Sequence, residues 1–438
     1  MKAVLAAAVS LALAITVAAP APASAGVTVD AFTTESGLTV WHVEEKSIPF
    51  VALELRFKGG ASLDAPDKRG AINLMTGLIE EGAGPLDARA FAKARDSLAA
   101  SFSYSVSDDS LAISARFLTE NRAEALALLR QSLIAPRFDQ DAIDRVRAQV
   151  VSGIRSDQKD PGAIARQAFD ARVYGTHPYG SDKSGTLKTV TALTREDILA
   201  AFRATVARDR LYISVVGDIS RQELGPVLDS LLAGLPETGA PLPPAAAPAF
   251  DGKTVVIPFE TPQSVAMFGQ PGLPFDHPDY FAAYLLNVVL GGGGFESRLM
   301  QEVREKRGLT YGVYSYLVDK DGADVWLGSV QSANNRVSEA MEVIKAEWAR
   351  LQSQGITAAE LEDAKRYLTG AYPLRFDGNG PIADILVGMQ IQGMGTDYIA
   401  TRNDRVNAVT LEQVNRVARD YLKPELLSFT VVGQPEGL

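Results

Sequence analysis

Hydrophobic positions recur along this chain at two spacings. Runs rich in β-branched and aromatic residues at 38–43, 51–57, 211–217, 253–257, 264–269 and 427–433 predict strands. Apolar residues three and four apart predict helices at 122–133, 141–158, 281–289 and 336–351. Two further helices open at Thr194 and Thr410, each a candidate N-cap ahead of an acidic residue. Each of these two helices runs into a β-rich segment that stops at a glycine, Gly217 or Gly433, and the spacing from Thr to Gly is the same in both copies. Core burial alone explains either copy but not their common spacing, so the chain reads as one unit present twice. The two leading strands of each unit, 38–43 with 51–57 and 253–257 with 264–269, read as neighbouring pairs.

Residues 233–250 are dense in Pro, Gly and Ala, which favours extended chain over packed structure. They read as a linker between an N-terminal domain, 26–232, and a C-terminal domain, 251–438. Strands at both ends with helices between them predict an α+β fold: two homologous domains, each a sheet covered by helices.

Composition narrows the chemistry. Lys and Arg number 43 against 53 Asp and Glu, a formal net charge of −10 with no basic block, which argues against a nucleic-acid partner. The absence of cysteine removes thiol nucleophiles, disulfides, thiolate zinc sites and iron–sulfur clusters. The three histidines, His42, His177 and His277, are too far apart for a local two-His metal motif. Lys2 followed by an apolar run and then Ala23-Ser24-Ala25 reads as a signal peptide over residues 1–25, cleaved after Ala25. A periplasmic or secreted protein is expected, with no later segment long enough to span a membrane. The lack of cysteine suits an oxidising compartment.

Three segments carry a resemblance. One is 69–82, Arg-Gly-Ala-Ile-Asn-Leu-Met-Thr-Gly-Leu-Ile-Glu-Glu-Gly, which reads as a helix. The second is His177-Pro178-Tyr179-Gly180. The third and most specific runs from Leu290 through Gly291, Gly292, Gly293 and Gly294 to Arg304 and on to Gly308-Leu309-Thr310-Tyr311. Together with the duplication they resemble the pitrilysin/insulysin/mitochondrial-processing-peptidase family of zinc metallopeptidases, the inverzincins, across essentially the whole mature chain. The resemblance implies two related α+β domains facing each other as a clamshell.

An active member carries H-x-x-E-H on the first-domain helix. The same register here reads Asn73, Thr76 and Gly77, and the third-ligand position falls on Ser152 or Gly153. Amide and hydroxyl oxygens are poor zinc donors and glycine offers none, so no metal and no complete catalytic set is expected in this chain. Glu80 and Glu81 read as a solvated turn, His177 as structural, and the acidic stretches 319–322 and 377–380 as turns rather than calcium loops. What the resemblance retains is Arg304 and Tyr311, matching a family pair that reaches toward the zinc and there suits substrate and transition-state binding. Read without the resemblance, Arg304 is a surface charge beside Glu305 and Tyr311 packs on the core. The four glycines would let a peptide backbone approach closely, or would simply end a helix.

The resemblance thus implies a metal-site-deficient subunit whose zinc-motif-bearing homologous partner holds the zinc, the pair acting on a peptide. The competing expectation is a non-catalytic peptide-binding or scaffold protein. No G-x-S-x-G elbow supports a serine hydrolase.

Overall fold

The repeat read in the sequence is built twice, with one topology. The computed structural model describes residues 27–438; the expected leader, 1–25, lies outside them. The strands are β1 Asp30–Thr33, β2 Thr39–Glu44, β3 Phe50–Lys58, β4 Gly82–Ala83, β5 Leu86–Asp87, β6 Ser101–Val106, β7 Ser110–Leu118, β8 Leu211–Gly217, β9 Thr254–Pro258, β10 Gln263–Pro271, β11 Val313–Val318, β12 Val325–Ala333 and β13 Ser428–Gly433. Two sheets run in the orders β1-β2-β8-β3-β7-β6 and β11-β12-β10-β13-β9, and β4 with β5 forms a small hairpin. Reversed, the second order repeats the first without β1. In each sheet the last strand lies parallel to the first of the repeat, β8 to β2 and β13 to β9, and every other neighbour is antiparallel.

This corrects one expectation. β2 and β3 are not neighbours, nor are β9 and β10, because β8 and β13 insert between them. Both inserted strands are near-continuous apolar runs, and all six residues of β13 are buried. Such strands belong where both faces are covered.

The shared spacing has a local cause. Thr194 and Thr410 build the same capping box: each hydroxyl accepts the amide three residues on, at 3.3 and 3.2 Å, and Asp197 or Gln413 accepts the threonine amide at 2.8 Å. Gly217 and Gly433 end their strands at φ 145° and 149°, and a Cβ at either would lie 2.8 Å from a backbone Cα, of Val51 or Ser264. Only glycine meets both conditions.

Each sheet packs one face on helices of its own half. The other face is covered by a helix from the opposite half. Helix Pro161–Tyr174 lays Ala165, Phe169 and Val173 on Met267, Leu327 and Val432 of the second sheet. Helix Asn379–Ile391 lays Ala383, Leu386 and Met389 on Trp41, Ala52 and Val216 of the first. Backbone-directed bonds fix the exchange, with Arg172 donating to the Phe429 carbonyl at 2.8 Å and Gln390 to that of Ile213 at 2.7 Å. The halves therefore face each other through exchanged helices. Residues 233–250 form no helix or strand, and they run along the first half, Ala240 donating to the Ala204 carbonyl and Ala249 to that of Val173. No helix among the described residues is long and apolar enough to cross a membrane.

Candidate functional site

The helix expected over 69–82 is shorter, Ala71–Thr76. It starts at Gly70, with φ 99°, and the buried Asp64 carboxylate accepts the amides of Gly70 and Ile72 at 2.8 and 3.0 Å. Burial pushes the Asp64 pKa up to about 6 against those two bonds. Beyond Thr76 the chain tightens into turns, because Leu78 and Ile79 are drawn fully into the core and Gly82 adopts φ 112°.

Within this helix the Thr76 hydroxyl donates to the Ile72 carbonyl at 2.7 Å. Asn73 is half-buried, and a Cβ at Gly77 would lie 3.1 Å from Val146 Cγ1. Ser152 and Gly153 are exposed on helix Gln140–Asp157. Among the described residues no three His, Cys, Asp or Glu side chains are grouped to hold a metal ion. The family's zinc does not fit these residues: one hydroxyl is committed to its own helix, one position has no side chain, and no imidazole or carboxylate replaces them.

The other singled-out residues have structural duties. Glu80 pairs with Arg95 at 2.6 Å, and Glu81 with Arg145. His177 Nδ1 accepts the Tyr179 amide at 3.2 Å, His277 Nδ1 accepts the Asp279 amide at 3.0 Å, and His42 is buried on β2, its pKa lowered by desolvation. Buried Arg69 donates to the carbonyls of Pro178 and Ser181 at 3.1 and 2.9 Å, tying the His-Pro-Tyr-Gly segment to the start of the short helix. The Tyr179 hydroxyl crosses to the second half, 3.2 Å from the Asp321 carbonyl. Gly378, φ 92°, precedes helix Asn379–Ile391, and the 319–322 stretch docks on the first half through Lys58 and Asp108.

Arg304 and Tyr311 do meet at one place. Both line a groove of about 450 Å³ with Thr310, Gln331 and Arg336, and its lining comes entirely from the second half. Tyr311 is 85% exposed, so it does not pack on the core. Its loop is nonetheless fixed: Thr310 Oγ1 donates to the Gln331 carbonyl at 2.6 Å, and Arg336 to those of Gly308 and Arg307 at 2.9 and 2.8 Å. The Arg304 guanidinium stands 4.6 Å from the centre of the exposed Phe295 ring and 3.5 Å from Glu305. A braced loop thus presents the Tyr311 phenol to solvent, with the half-buried Arg304 of the helical segment Met300–Glu305 at the same groove. Asn73, Thr76 and Gly77 are not part of this groove.

Three of the four glycines are not an open loop. Val288–Gly292 forms a wide π-type turn, where a Cβ on Gly291 would lie 2.7 Å from the Ser315 amide nitrogen and one on Gly293 2.7 Å from the Val288 carbonyl oxygen. Asn287 pins the turn, its side chain bonded to Ser315 and, at 2.8 Å, to the Trp326 indole. Only Gly294, φ 61°, faces open space.

A duplicated α+β unit with exchanged helices defines a peptidase-like protein, and among the described residues its first-half helix offers no metal-donor set. The chain belongs to peptidase family M16. The profile described as Insulinase (Peptidase family M16) matches residues 39–186, and that described as Peptidase M16 inactive domain matches 192–368. A crystal structure of a peptidase M16 inactive domain from Pseudomonas fluorescens is 30% identical, with TM-score 0.87 over 93% of this chain and 98% of that one. A non-peptidase homologue, YmxG of Helicobacter pylori, is 24% identical over 91% of this chain and 92% of that protein. A probable mitochondrial-processing peptidase subunit beta of Schizosaccharomyces pombe is 25% identical over 72% of this chain and 71% of that protein.

Proposed function

We propose that this chain is the metal-deficient subunit of a two-subunit zinc peptidase of the periplasm, exported by its first 25 residues. The exposed Tyr311 beside Arg304 carries the reading: a phenol 85% exposed on a braced loop has no packing role and is free to meet a ligand. Arg304 supplies a permanent charge and a fork of donors for a peptide carbonyl or carboxylate, and the Tyr311 hydroxyl donates to an oxyanion as it develops. The metal chemistry belongs to a homologous partner that carries the zinc motif and holds the zinc. The S. pombe relative, named as a subunit, supports a role within an assembly.

Co-expression with a zinc-motif homologue from the same organism tests this. A stable hetero-oligomer is expected by size-exclusion chromatography with light scattering. Two separate peaks over a wide concentration range would leave the chain as a peptide-binding or scaffold protein.

A further inference from the structure

We infer that a second cavity, between the two halves and apart from the Arg304 groove, binds a carboxylate carried on an aromatic or aliphatic body. The cavity holds about 380 Å³, within the range of small-ligand sites. Three arginines line it, Arg56, Arg375 and Arg402, against one acid, Asp384, which Arg56 already holds. In a chain of net charge −10 this is a local inversion of sign.

Arg402 is only 6% exposed, yet no carboxylate lies within ion-pair distance of it among the described residues. Its partners are neutral: the Leu368 carbonyl at 2.9 Å, the Asn403 amide oxygen at 3.0 Å and the Tyr372 ring at 4.4 Å. A buried guanidinium is ordinarily compensated by an anion. Tyr372 adds an independent sign. It is 7% exposed, lines the same cavity, and its buried hydroxyl has no hydrogen-bond partner. Burial pushes the Tyr372 pKa up to about 12, which keeps the hydroxyl a donor. Arg375 is exposed at the rim and forms no ion pair among the described residues.

The rest of the wall suits an apolar body. Phe275 packs against Tyr280 and Tyr398 at centroid distances of 4.7 and 5.8 Å. An adjoining cavity of about 520 Å³ shares Phe275, Phe281 and Tyr398, so the body can extend beyond the carboxylate. A free aryl acid and a peptide C-terminus offer this same chemistry.

Calorimetric titration of the full chain with 3-phenylpropionate, and with a pentapeptide ending in phenylalanine, tests the site. At least one carboxylate should bind at one site per chain, and whichever binds names the source. The matching amides, 3-phenylpropanamide and the C-terminally amidated peptide, should bind about tenfold weaker or not at all, the scale of a lost charge-assisted bond. Arg375→Gln, at the exposed rim, and Tyr372→Phe, which keeps the ring, should each weaken the carboxylate by about tenfold with the melting temperature unchanged. Absence of saturable binding, equal affinity for acid and amide, or wild-type affinity in either variant overturns the site. Loss of binding in Arg304→Ala instead would place the ligand in the other groove and overturn it too.

Discussion

Lys320 and Asp108 join the two halves, the ammonium 2.8 Å from Asp108 Oδ2 and 4.3 Å from the centre of the Tyr179 ring. Tyr179 in turn belongs to the segment held by Arg69, so one lysine of the second half closes on a motif of the first. Lys320→Met should keep the stem's packing and remove one of two cations from the carboxylates of Asp108, which retains Arg69 at 3.2 Å, and Asp170, which retains Arg166. A loss of about 1–3 kcal/mol in denaturant unfolding is expected for a partly buried pair. Unchanged stability would mean that this ion pair adds nothing measurable to the hold between the halves.

Stability should rise as pH falls from 7.5 to 5.5, the buried carboxyls outweighing His42, whose lowered pKa costs stability below about 6.5. Burial pushes Asp64 and Asp170 up to about 6, and Asp324 upward as well, with Asp319 beside it adding to the shift. A carboxyl with a raised folded pKa binds its proton more readily in the native state, so its stabilising protonation is lost as pH climbs from about 4 through 6. Glu223, through its Ser220 bonds, and Glu360, held down by Arg298 and Thr357 against burial, sit near 2, and their opposite contribution is already complete above pH 5. Melting curves across this range check the slope. Asp324→Asn should flatten it and raise the melting temperature at pH 7.5.

Tyr311→Phe and Arg304→Ala should separate assembly from turnover. In the complex with a zinc-bearing partner each variant should assemble normally and lower kcat by roughly 10²–10³-fold, the scale of one lost oxyanion donor. Tyr311→Phe is the sharper of the two because it removes only the hydroxyl. Wild-type peptide cleavage in both would confine these residues to structure.

The isolated chain should carry no stoichiometric zinc and cleave no peptide, since Asn73, Thr76 and Gly77 hold the register that the family resemblance gives to the donors. Elemental analysis of protein purified without chelator, alongside digestion of a mixed peptide library, measures both. One zinc per chain with chelator-sensitive cleavage would contradict it.

The sequence by itself determined the duplication, the six strands β2, β3, β8, β9, β10 and β13, and the lack of metal donors on the first-half helix, but not β6, β7, β11 or β12. These rest on local chemistry: a Thr whose neighbour three residues on closes the cap, a Gly at φ 145° or 149° with backbone pressed against it, and side chains that either are or are not metal donors. Arg304 and Tyr311 were legible only as a pair of residues; that Tyr311 stands exposed on a braced loop beside half-buried Arg304 needed coordinates. Tertiary structure alone decided that β8 and β13 insert between the leading strands, since a buried apolar run carries no record of its neighbours. It alone decided the exchange of helices 161–174 and 379–391, because an amphipathic face specifies that it is buried and not against which sheet. The same holds for Tyr372 and Arg402, 30 positions apart and joined at one cavity by the packing of the second half, with Arg56 of the first at its wall.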